Sequence, residues 1–90
     1  MGMPIVHLQV RDFATWKPLY DAHSRSRAAA GLAKDHVLQS VDDPNLVTVV
    51  MDFADVATAK AFAASPDLAA AMQAAGVVGA PAIHVLKKVT

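Results

Sequence analysis

Apolar and polar positions first alternate from Pro4 to Val10. Ile5, His7 and Gln9 fall on one side and Val6, Leu8 and Val10 on the other, which is the two-residue period of a β-strand. Asp12 can cap a turn, and a helix follows. Its start depends on Pro18. With Thr15 as N-cap, Pro18 takes the third helical position and costs no intrahelical bond; with Asp12 as N-cap it deletes one bond and bends the first turns. The less costly choice predicts a short turn at Asp12 and a regular helix from about Trp16, ended by Gly31. His36 to Val41 reads as a second strand and Asp42-Asp43-Pro44-Asn45 as a turn. Leu46 to Phe53 is a third strand, completing a hairpin. Asp55 caps a second helix through about Ala64. Ser65-Pro66 is an N-cap followed by proline at the first helical position, which restarts a helix through Ala75. Gly76 ends it, Val77 to Pro81 reads as a loop, and Ala82 to Val89 is the last strand.

The order β-α-β-β-α-β predicts a ferredoxin-like α+β fold. Its sheet has four antiparallel strands with helices on one face, in a single domain over residues 1–90 without linker or low-complexity tract. The alanines between Ala54 and Ala75 should let the second helix pair lie close to the sheet. In the third strand Val47, Val49, Met51 and Phe53 point one way and Leu46, Thr48 and Val50 the other. The first strand is apolar on both faces except at His7 and Gln9. Helices cover only one face, so the other needs a cover too. A second copy packed sheet to sheet is the simplest one, and a homodimer is expected. Composition agrees, because a 90-residue chain that is 54% hydrophobic has too much surface to hide that much apolar side chain alone.

Charge narrows the partners. Eight basic residues balance eight acidic ones, all of them Asp, with no basic stripe to hold phosphates, so no nucleic acid is expected. Cysteine is absent, which excludes disulfides, thiolate nucleophiles and Cys-ligated metals and fits a cytoplasmic location. No apolar run reaches the ~18 residues of a membrane span, and the start lacks a signal-peptide layout. Met1-Gly2 opens as a myristoylation site does, but Val6 stands where Ser or Thr is wanted.

The candidate chemistry lies on one helical stripe. Trp16, Tyr20, His23 and Arg27 follow at steps of four, three and four, opposite the water-facing ladder of Lys17, Asp21 and Arg25. Trp16 and Tyr20 read either as core aromatics or as groups that orient a flat aromatic substrate. His23 is either a neutral, hydrogen-bonded ring or a general base. Arg27 needs an anion if buried: an aspartate of the sheet such as Asp52, or a ligand carboxylate, enolate or phenolate, unless it reaches the helix end and water. His7, His36 and His84 sit on strands without metal-ligand spacing, so no metal is expected, and nothing signals haem or another cofactor. There is no phosphate loop and no nucleophile elbow. The first strand lacks the aromatics that a sheet uses to bind RNA.

Several segments together resemble a known group. Val10-Arg11-Asp12-Phe13-Ala14-Thr15-Trp16 looks like the V-x-D-F-x-x-W opening of a first helix. Asp43-Pro44-Asn45, Phe53-Ala54-Asp55, Ala63-Ala64-Ser65-Pro66-Asp67-Leu68 and Val77-Val78-Gly79-Ala80-Pro81 follow in the same order. The chain thus resembles the dimeric α+β barrel superfamily, which includes antibiotic biosynthesis monooxygenases, stress-responsive barrel proteins and small cyclase-like proteins. The resemblance implies a homodimer whose sheets close an eight-stranded barrel, with one pocket per subunit between helices and sheet. It implies no single activity.

Two functions compete on this reading. One is a cofactor-independent monooxygenase or cyclase-like enzyme acting on an aromatic or polyketide-like compound. Trp16 and Tyr20 would hold the compound, His23 would take a proton and Arg27 would steady the oxyanion. The other is a non-catalytic, stress-associated or ligand-binding barrel protein that holds a small hydrophobic or anionic molecule, with Arg27 paired internally. A regulatory domain that senses amino acids has similar topology but is usually appended to an enzyme.

Overall fold

The alternating segments do become strands, and their limits show where context overrides pattern. The structure is a computed structural model that describes residues 2–87 and 89. The expected run of the last strand through Lys88 and the role of Met1 in a myristoylation start lie outside the described residues. Strand β1 (Gly2–Val10) leads to helices α1 (Phe13–Ala22) and α2 (Ser24–Ala29). A hairpin of β2 (Leu32–Gln39) and β3 (Leu46–Phe53) follows, then helices α3 (Val56–Ala63) and α4 (Pro66–Ala74) and strand β4 (Val77–Lys87). The sheet order is β2-β3-β1-β4, all antiparallel. This is the expected ferredoxin-like α+β arrangement with helices on one face.

The first helix starts earlier than expected. Asp12, not Thr15, is its N-cap: the Asp12 carboxylate accepts from Thr15 N at 3.1 Å and from Thr15 Oγ1 at 2.7 Å. Phe13 N donates to Asn45 Oδ1 at 2.9 Å, so the β2–β3 turn satisfies another free donor of the first turn. These bonds offset the one that Pro18 removes inside α1. The helix then breaks at His23, giving two helices instead of one. Gly31 and Gly76 take positive φ (105° and 82°) after the helices they were expected to end.

Two strands also differ in extent. β2 begins four residues before His36, pairing Lys34 with Asp52 and Asp35 with Met51, and it ends at Gln39, short of Val41. It is an edge strand with charged residues, so its apolar period is weak. The expected loop from Val77 to Pro81 is part of β4. Val77 and Val78 pair with Val10 and Gln9, and the register shifts opposite His7 to Gln9 with Gly79 at φ 71°. A bulge absorbs the extra residues and lets the pairing continue, so glycine and proline there do not break the strand.

The core lies between the sheet and the helices. Val6, Leu8 and Val10 of β1 and Val47, Val49, Met51 and Phe53 of β3 are buried against Trp16, Ala59 and Phe62. Gly2 lets α3 approach β1: a Cβ there would stand 2.6 Å from Ala59 Cβ and 2.7 Å from Asp55 O. The opposite sheet face has no helix on it. Leu38, Leu46 and Leu86 remain 51%, 43% and 46% exposed there, far from the burial of their neighbours on the helix face. No described helix is long and apolar enough to cross a membrane.

Candidate functional site

The four stripe residues do not stay together. Trp16 is buried and stacks on Tyr20 with ring centroids 4.9 Å apart. The Arg27 guanidinium lies over the other part of the stack, 3.6 Å from the Tyr20 ring centroid, and Arg27 Nη1 donates to Tyr20 O at 2.7 Å. The break at His23 makes that contact possible. With α1 ended, the Tyr20 carbonyl has no full helical partner, and a buried cation takes it. His23 itself is exposed at the junction, where its N–H donates to Tyr20 O at 3.2 Å and its carbonyl accepts from Arg27 N at 3.2 Å.

The aspartate beside Arg27 is Asp35, not Asp52. Asp52 pairs across the sheet with Lys34 on the face away from the helices, whereas Asp35 alternates onto the helix face next to Met51. Tyr20 Oη donates to Asp35 Oδ2, and Arg27 Nε stands 3.9 Å from the same oxygen, an ion pair too long for a hydrogen bond. Arg27 Nε is buried with no hydrogen-bond partner among the described residues. Burial above all, and then the bond to Asp35, push the Tyr20 phenol above its ordinary range, although Arg27 pulls the other way. The phenol therefore stays protonated as a donor, and the cluster is a stack of aromatic rings closed by one cation and one carboxylate. Asp35 was missed because the sequence pattern starts this strand at His36. The available signal was the period-two pairing of Asp35 with Val37.

Outside the cluster lies a shallow depression of about 510 Å³, bordered by Lys17, Tyr20, Ser24, Arg27, Asp35 and Leu38. Lys17 is bound to Asp21 at 2.8 Å along the same rim. A larger cavity of about 680 Å³ lies elsewhere, between α4 and the bulged half of β4. Pro66, Ala69, Met72, Gln73, Val77 and Ile83 are among its walls. Its lining is apolar apart from Ser65 and Gln73 and contains no titratable side chain. The expectation that the alanines let both helices hug the sheet holds for α3, where Ala59 is fully buried. It fails for α4, which has no buried residue. Small side chains on α4 leave the gap unfilled. No group of three or more potential ligands for a metal gathers among the described residues.

No family model matches the chain, and no curated protein matches its sequence. Solved structures do match along its whole length. A Bordetella bronchiseptica protein named as an antibiotic biosynthesis monooxygenase superposes with TM-score 0.81 at 19% identity, covering 99% of this chain and 97% of that one. The chain has the antibiotic biosynthesis monooxygenase fold. SnoaB, a cofactor-independent oxygenase from Streptomyces nogalater, shares this fold with TM-score 0.79 at 14% identity, covering 99% and 93% of the two chains. Rv0793 from Mycobacterium tuberculosis shares it with TM-score 0.72 at 16% identity, covering 99% and 95%. At these identities the monooxygenase fold is what is held in common, and side chains must be judged on their own geometry.

Proposed function

We propose that this protein is a homodimeric barrel that binds a flat, apolar small molecule in the cavity between α4 and β4. One observation carries the reading: the hollow of about 680 Å³ between α4 and β4 is apolar and free of titratable groups, while Tyr20, Arg27 and Asp35 are engaged with one another elsewhere. The dimer is supported by the uncovered sheet face. Four strands at ~4.8 Å spacing and about nine residues at ~3.3 Å offer roughly 19 by 30 Å of sheet. That is of the order of the ~800 Å² each partner buries in a stable interface.

The test is binding of 1-anilinonaphthalene-8-sulfonate by fluorescence. Ala69→Trp should fill the cavity and weaken binding at least about ten-fold with the circular dichroism spectrum unchanged, whereas Arg27→Met should leave binding intact. Equal binding by wild type and Ala69→Trp would overturn the cavity assignment.

A second reading keeps catalysis and is favoured by the depression that reaches Tyr20 and Arg27 and by the likeness to SnoaB. In it a hydroxylated aromatic lies on the rim against Tyr20, whose ring is backed by the buried Trp16, His23 reaches in from the helix junction to take its proton, Arg27 steadies the oxyanion, and dioxygen is the oxidant. His23→Ala should then slow oxygen uptake with such a compound by orders of magnitude. Unchanged uptake would remove the role.

A further inference from the structure

Three of the chain's four histidines lie on the sheet face that carries no helix. His7 of β1, His36 of β2 and His84 of β4 alternate away from the core, and all three are exposed in the single chain. The rings of His7 and His84 meet edge to face with centroids 6.4 Å apart. His7 Nδ1 and Thr48 Oγ1 share a hydrogen bond of 2.9 Å, with the donor set by the ring tautomer. The rest of this surface is largely apolar: Ile5, Leu38, Leu46, Val50 and Leu86 surround the rings. Among the described residues, the charged groups that face them from neighbouring strands are Lys34 of β2 and Asp52 of β3. These are cross-strand partners of opposite sign, so they add no net charge.

We propose that this face is a proton-operated seam, on which a second copy docks while the three imidazoles are neutral and from which it is released when they take up protons. The inference rests on the dimer reading above and adds regulation to it. An imidazole in water titrates at about 6.5, inside the range of mildly acidic solution. Docking removes that water. An imidazolium in an apolar seam loses its hydration, and three rings from each copy would repel one another. His7 lies mid-strand on β1, an inner strand of the sheet, so it falls near the middle of any footprint that covers this face. The pair of chains therefore binds fewer protons than two free chains. Linkage then gives the sign: affinity is nearly complete a unit above the ordinary imidazole value, at pH ~7.5, and is lost as the pH falls through that value. Between pH 7.5 and 5.5 the loss is about ten-fold for each imidazole that docking strips of its proton.

Sedimentation of the full chain between pH 8 and pH 5, with circular dichroism to confirm that the fold persists, decides the matter. The wild type should run near twice 9.4 kDa at pH 8 and weaken at least about 100-fold in dissociation constant by pH 5.5. The variant carrying His7→Gln, His36→Gln and His84→Gln should hold its mass across the range. Should the triple variant not fold, His84→Gln alone should give a visibly shallower pH dependence. A wild type that stays dimeric at pH 5, or histidine variants that dissociate as the wild type does, would overturn the proton seam and leave the dimer standing. A monomer at pH 8 would overturn the dimer and the seam with it.

Discussion

Tyr20 is the residue on which the candidate cluster turns. It stacks on Trp16, lies under Arg27, lends Arg27 its carbonyl and donates a hydrogen bond from its phenol to Asp35. Because its phenol is raised above the ordinary range, the folded chain holds this proton more tightly than the unfolded one. The associated stability is whole below the unfolded phenol's ~10 and is lost as the pH rises further. Tyr20 is the chain's single tyrosine, so phenolate absorbance reports it alone. The absorbance should appear only above pH ~10, together with loss of the helical signal. Tyr20→Phe should flatten the decline of the urea midpoint between pH 9 and pH 11. An early phenolate with the fold intact would contradict the cluster. The stripe spacing revealed three of these contacts' owners, and Asp35 stayed hidden because its partner lies fifteen residues away across a helix pair.

At the scale of elements, capping chemistry outweighs the penalty of a proline. Asp12 binds the Thr15 backbone and hydroxyl together while Asn45 reaches across from the β2–β3 turn. Asp12→Ala should therefore cost about 1 kcal/mol in urea unfolding, and Thr15→Ala clearly less. The reverse order would restore Thr15 as the cap. The bulge in β4 is the second such case. Gly79 sits at φ 71° with open space around the position a Cβ would take. Gly79→Ala should cost about 1 kcal/mol from backbone strain alone, without any clash. A neutral substitution would mean that the strand does not bulge there.

For the whole molecule, the proposed dimer puts its seam on the uncovered sheet face. Leu46 is 43% exposed on that face although it begins an inner strand. Leu46→Asp should leave the fold intact, since the side chain already meets solvent in the single chain. It should halve the mass seen by light scattering at pH 8, because docking would bury its charge. An unchanged mass would move any interface elsewhere.

The strands, their alternation and the helix signals are local properties of the chain, and the period-two and period-3.6 patterns carried them into the right order. Leu46 to Phe53 has the same limits in sequence and structure because one face of that inner strand is wholly apolar. The pairing of Arg27 with Asp35 and not Asp52, the break at His23 and the bulge opposite His7 to Gln9 were not local. The first and the last depend on register between strands, where a shift of one residue turns a side chain to the other face, and the break at His23 goes with the Arg27 side chain taking the carbonyl of Tyr20, seven residues before it. The cavity beneath α4 was hidden for a related reason: alanines read equally well as close packing or as a gap, and only the distance between helix and sheet tells the two apart.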